Sequence, residues 1–184
     1  MSGGLRLTPE EVKALVDELE RRLEERGVPA SILIFGGAAM ALRFPDDPDV
    51  RTTSDIDAAY EPIAEVDEVV AEMARDFDLP DRWLNASGKP WNVVRPSGAT
   101  VTVADGEELI AMKLAAGRAQ DMADLRIAAR NLQIRHAGEL VDIAYRLYGE
   151  DSPALSDGRE SYELFAEDVL KPRRSRGHRR AQAE

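Results

Sequence analysis

The residues of this chain best suited to chemistry are two aspartates one position apart, Asp55 and Asp57 in "RTTSDIDAAY" (residues 51–60). On an extended backbone alternate side chains share a face, so both carboxylates point one way and Ile56 points the other. Aspartate is disfavoured in strands, and like charges on one face repel. Two circumstances reconcile such a pair with a strand: a solvated edge, or a divalent cation between the carboxylates. Two carboxylates completed by phosphate oxygens and water suit Mg²⁺, with Mn²⁺ as a substitute.

Upstream, "SILIF" (31–35) runs into Gly36 and Gly37 and then into "AAMALRF". A strand that passes through a glycine pair into a helix brings backbone close to a ligand and aims unpaired helical N–H groups at it. Phosphate is the natural guest, although such turns also occur without one. The order of the two elements matters. A phosphate cradle, a loop and a paired-carboxylate strand are what metal-dependent nucleotidyl transfer needs. The triphosphate must be gripped while charge on the transferring phosphoryl group is neutralised.

In that order, "GGAAMAL" followed by "RTTSDID" resembles the polymerase-β-like nucleotidyltransferases, whose motif is Gly-Gly or Gly-Ser, a spacer, and Asp-x-Asp. "ELIAMKLAAGRAQDMADL" (108–125) resembles the Lys and Asp motifs of the AbiEii-type nucleotidyltransferase toxins of bacterial toxin–antitoxin and abortive-infection systems. The resemblance spans roughly residues 31–135. It implies an enzyme that uses Mg²⁺ and moves a nucleoside monophosphate from an NTP to a hydroxyl. RNA, tRNA 3′ ends included, is the implied acceptor, and a cognate antitoxin protein the implied partner. A small molecule or protein is the alternative acceptor. A catalytically weak nucleotide- or partner-binding module is the alternative of another class.

The same resemblance distributes roles. Asp55 and Asp57 would hold metal, Gly36 and Gly37 would cradle phosphate, and Arg51 would bind it. Thr53 would fix the loop. Lys113 is one of four lysines against twenty arginines and sits among Leu109, Ile110 and Ala116. It either snorkels from a core-facing helix or neutralises the β/γ-phosphates. Asp124, with Asp121 as its rival three residues away on one helical face, would assist the acceptor or order the lysine and metal. Arg118 and Arg126 pair with these acids in the plainest reading. Asp105 with Glu108 forms a capping box, so it is a helix cap before it is a metal ligand. The chain departs from the motif in three ways. Ala38 follows the glycines where a Ser hydroxyl could hold phosphate, "FPDDPD" (44–49) lengthens the spacer, and Asp105 is the one candidate for a third carboxylate.

These motifs need a scaffold. "TPEEVKALVDELERRLEERG" predicts a capped helix from Thr8 to Gly27, followed by the strand at 31–35, a helix, and the strand at 54–60. A helix over 64–77 and an irregular 78–90 come next. "WNVVRP" and "ATVTVA" then read as a hairpin of two strands, and helices run from Asp105 to about Tyr148, broken near Gly117 and His136. "SYELFAEDVL" closes the fold. The reading is α/β (α+β): a nucleotidyltransferase-like core with a small mixed sheet over 1–105, a helical part over 106–170 completing the cleft, and a basic tail over 171–184. Of the two tryptophans flanking "LNASGKP", Trp91 either stacks on a base or packs across the sheet.

With 43% apolar residues the chain can bury a core, and without cysteine it has neither disulfides nor thiolate metal ligands. The absence of any apolar run near membrane length, and of a secretory leader, predicts a cytoplasmic protein without membrane attachment. The net charge is −11, yet the tail holds six Lys/Arg and one Glu, which leaves residues 1–170 at −16. Such a body is a poor general nucleic-acid binder, and the tail is either a phosphate-steering element or a solvated end.

Overall fold

The computed structural model describes residues 5–86 and 98–172. Helix α1 (Pro9–Glu25) starts at the expected capping box. Thr8 Oγ1 accepts from the Glu11 amide at 3.3 Å and Glu11 Oε2 accepts from the Thr8 amide at 2.8 Å. Val12, Val16, Leu19 and Leu23 recur at alternating steps of four and three, so they form one buried stripe. Each such side chain contributes about 1.5–3 kcal/mol on burial.

Strand β1 (Ser31–Phe35) lies inside a mixed sheet that has four strands among the described residues. It pairs antiparallel with β2 (Ile56–Glu61) and parallel with β4 (Thr100–Val103), while β3 (Leu84–Ala86) adds parallel to the outside of β2. Helix α2 (Gly36–Arg43) begins where β1 ends, and α3 (Ile63–Asp76) links β2 to β3. The β1–β2 register pairs Phe35 with Asp57, which sets the glycine pair beside the strand aspartate.

Two expectations change here. Leu84–Ala86, within the stretch read as irregular, is an edge strand; three residues are too few to display an alternating pattern. Asp55 is not in a strand, because β2 starts at Ile56 and Asp55 sits at a bend. Thr53 Oγ1 donates to the Asp55 carbonyl at 2.8 Å, closing the bend and replacing a ladder bond. The expected "WNVVRP" strand, Trp91 and residues 173–184 of the basic tail lie outside the described residues.

The helical part comprises α4 (Gly106–Ala116), a 3-10 turn (Ala119–Asp121), α5 (Met122–Asn131), α6 (Ala137–Tyr148) and α7 (Arg159–Leu170). The breaks fall at Gly117, whose φ of 58° ends α4 in the left-handed region, and at His136, which precedes α6. Helix α4 joins two cores. Its Leu109 belongs with the sheet residues Ile32, Ile34 and Ile56, while Ile110 and Leu114 belong with Leu125, Leu140 and Ala166 of the helices. A helix covered on two sides has little room for a polar face, which is why Lys113 within it is only 8% exposed. No helix among the described residues is long and apolar enough to cross a membrane.

The acidic spacer insert has a structural role. Asp47 accepts from Arg130 at 2.5 Å and from Asn131 Nδ2 at 2.7 Å, clasping the loop to α5. The Arg130 guanidinium holds the Asp47 carboxyl below its ordinary value. On α1, hydrogen bonds from Arg21 and Arg22 lower Glu18 to about 2. Folded values below unfolded ones mean stability that is complete above pH ~4.5 and lost as pH falls toward 2. Asp47→Ala is therefore expected to destabilise by about 1–2 kcal/mol at pH 7. The gap to wild type should close as pH drops below ~4, a trend read from thermal melts at a series of pH values. A gap that is constant with pH would show that the clasp does not depend on the Asp47 charge.

Candidate functional site

A cleft of about 750 Å³ opens between the C-terminal end of β1 and helix α4. Its floor is the junction the sequence singled out. Gly36 has φ of 67°, a conformation that side chains rarely adopt, and a Cβ there would lie 2.8 Å from Asp57 Oδ2. A methyl at Gly37 would lie 3.1 Å from Thr53 Oγ1. Gly36 is therefore required for the aspartate to come this close, while a side chain at Gly37 would make the Thr53 hydroxyl give way by a few tenths of an ångström. No side chain caps α2, so its first-turn N–H groups are left to ligand or water.

One wall of the cleft is the segment Arg51–Ser54. Thr53 holds it in place, pairing with Leu7 as an isolated antiparallel bridge (N···O 2.8 and 3.2 Å) besides closing the Asp55 bend. Arg51 lines the cleft and is exposed. The opposite wall carries Lys113, whose Nζ donates to Asp124 Oδ2 at 2.6 Å and to Asp121 Oδ1 at 3.2 Å. Asp121 ends the 3-10 turn and Asp124 lies in the first turn of α5, so they approach the lysine from a corner rather than from one continuous helical face.

The arginines behave otherwise than expected. Arg118 lines the cleft and, among the described residues, neither it nor Arg51 is in an ion pair. Arg126 donates to the carbonyls of Val169 (2.6 Å) and Asp168 (3.0 Å). Those carbonyls at the end of α7 have no helical donor of their own, whereas both acids are already taken by Lys113. Asp105 is the α4 cap, accepting from the Glu108 amide at 2.8 Å, and does not line the cleft.

Asp57 lines the cleft, whereas Asp55, the other half of the expected pair, is not among its lining residues. Asp55 Oδ2 accepts from Asn85 Nδ2 at 2.7 Å and Oδ1 from Ser54 Oγ at 3.2 Å. Asn85 stands beside Asp57 in the β2–β3 register; sequence reasoning missed it because its strand gave no signal. No group of three or more His, Cys, Asp or Glu suited to a metal gathers among the described residues. A divalent cation at Asp57 would need phosphate oxygens and water to complete its ligands. Among the described residues, three cationic side chains (Arg51, Lys113, Arg118) and three carboxylates (Asp57, Asp121, Asp124) line the cleft, so their formal charges cancel while residues 1–170 carry −16.

Comparisons of the chain with family models, curated proteins and solved structures give no match.

Proposed function

We propose that this cleft binds a magnesium-complexed NTP and transfers its nucleoside monophosphate to a hydroxyl acceptor. The observation that carries the reading is Asp57 over Gly36, with Lys113 on the facing wall of the same cleft. It is the arrangement the polymerase-β-like resemblance leads one to expect. Asp57, with Asp55 at its flank, would hold Mg²⁺, which supplies charge neutralisation at the phosphoryl group when bound. The α2 N-terminus, Arg51 and Lys113 would receive the phosphates. The acceptor oxygen attacks the α-phosphorus, the bond from that phosphorus to the β-phosphate bridge breaks, pyrophosphate leaves, and the hydroxyl proton passes to solvent. Asp121 and Asp124 act through Lys113, holding its ammonium in the cleft; they are positioning residues.

RNA as acceptor, and a toxin's place beside an antitoxin protein, are the finer form of the proposal and rest on the AbiEii-type resemblance alone. A second reading has one observation in its favour. Lys113 is already paired with two carboxylates, which suits a module that binds nucleotide weakly without turning it over.

Thermal melts separate these readings from an empty cleft. NTP with Mg²⁺ at a hundred times Kd is expected to stabilise by about 2.7 kcal/mol, and NTP without a divalent ion by much less. An unchanged melting temperature at saturating Mg²⁺ and every NTP would defeat both. Stabilisation without pyrophosphate release in the presence of acceptors would leave the binding module.

A further inference from the structure

We infer that a groove walled by Arg6, Arg51 and Thr52 takes a phosphate group of the acceptor, outside the NTP site. That the bound molecule is the acceptor rests on the transfer reading. The groove has a volume of about 660 Å³ and is lined by Leu5, Arg6 and the segment Arg51–Ser54. That segment is also a wall of the cleft. One strip of backbone thus serves two spaces of similar size, which adjoin along it. A single bridge brings Arg6 there. Leu7 is buried in the core, and its backbone exchanges two hydrogen bonds with Thr53 (2.8 and 3.2 Å). Neighbouring side chains on extended chain alternate, so Leu7 turned inward leaves Arg6 outward. The bridge is antiparallel, which lays Arg6 alongside the chain that follows Thr53.

The donors of the groove fall into two sets. Thr53 Oγ1 donates to the Asp55 carbonyl at 2.8 Å and Ser54 Oγ to Asp55 Oδ1 at 3.2 Å, so both hydroxyls are occupied. Arg6, Arg51 and Thr52 are exposed, and among the described residues their side chains make no hydrogen bond or ion pair. No described carboxylate lines the groove, although residues 1–170 carry −16. Charges beyond about 10 Å are screened at 0.1 M salt, so the local arginine pair decides what binds here. Two guanidinium forks and a hydroxyl suit phosphate oxygens. No described aromatic ring lines the groove, so it offers phosphate contacts without base stacking. Contacts of that kind position a ligand without reading its bases. An acceptor with a phosphate in the groove and its hydroxyl in the cleft fits both spaces at once. The phosphate is the backbone of a nucleic-acid strand or that of a small ester.

Calorimetric titration of the full chain without NTP tests the inference with three probes. These are a single-stranded RNA, the same strand with an uncharged methylphosphonate backbone, and glycerol 3-phosphate. A strand as the source predicts binding of the charged strand alone, and a small ester predicts binding of glycerol 3-phosphate. In either case Arg6→Ala is expected to weaken binding by about tenfold, one charge-assisted contact. For the strand it should also reduce the salt slope by about 0.7, whereas Arg6→Lys should keep the slope. Wild type and variant share the basic tail, so the difference belongs to Arg6. NTP binding should survive in Arg6→Ala, because Arg6 does not line the cleft, while Arg51→Ala should weaken both ligands. Unchanged affinity and slope in Arg6→Ala would overturn the inference. So would equal binding of the charged and uncharged strands, or a wild type that binds neither the charged strand nor glycerol 3-phosphate. Arg6-dependent binding of a probe by a wild type that takes no NTP would instead overturn the transfer reading, and with it the ligand's role as acceptor.

Discussion

Asp57→Asn is expected to lower kcat for nucleotidyl transfer at least about a hundred-fold while leaving the protein folded. The amide keeps the shape of the carboxylate over Gly36 but removes the charge that, in the proposed reaction, would attach Mg²⁺ to the cleft. Interactions of this kind act on charge that develops as the phosphoryl group moves, so the loss should appear in kcat more than in NTP affinity. The check is pyrophosphate release by wild type and variant at matched NTP, alongside their melting curves. Transfer at wild-type rate in a well-folded Asp57→Asn protein would remove Asp57 from the mechanism.

The second large effect is expected at Lys113. Lys113→Met keeps the aliphatic stem that crosses between the two cores but leaves Asp121 and Asp124 facing each other without a cation. Breaking a fully buried pair destabilises by about 3–5 kcal/mol. Here the remaining carboxylates are 14% and 30% exposed, so about 1–3 kcal/mol is the expected loss after solvent screening. Removing one of the repelling charges in Lys113→Met/Asp124→Asn should recover part of that stability without recovering transfer, because the phosphate partner is still missing. Denaturant melts of the two single variants and the double variant measure the coupling. Additive stabilities would deny the ion pair its structural role, and retained transfer in Lys113→Met would deny the lysine its role toward phosphate.

The parts of this site that were legible in the sequence are those with a local signature. The capping boxes at Thr8 and Asp105 follow from side chains three residues apart, and the glycine pair after a short apolar run marked the end of β1 correctly. Thr53 as a loop-fixing residue came from the resemblance, and its bonds to the Asp55 carbonyl and to Leu7 agree with it. What depends on register or on distant packing was not. Asp55 falls one residue short of β2 because a hydroxyl–carbonyl bond closes the bend, and the alternation of side chains cannot reveal that. Asn85 reaches Asp55 from a three-residue strand 30 positions away. Arg6 reaches the groove beside Arg51 through the bridge of Leu7 to Thr53, for which no motif exists. Charge counting suggested that Arg118 and Arg126 neutralise Asp121 and Asp124. The fold instead gives both acids to the buried lysine, leaving Arg118 at the cleft mouth and Arg126 to the bare carbonyls of α7.

The most direct measurement follows the phosphorus. The full chain is incubated with Mg²⁺, cellular RNA or protein, and each of the four NTPs labelled either at the α- or at the γ-phosphate. Nucleotidyl transfer predicts α-label appearing on an acceptor, in step with pyrophosphate release, with no transfer of γ-label and none by Asp57→Asn. Label from the γ-position on the acceptor, or neither label transferred and no pyrophosphate formed with any of the four NTPs, would contradict it.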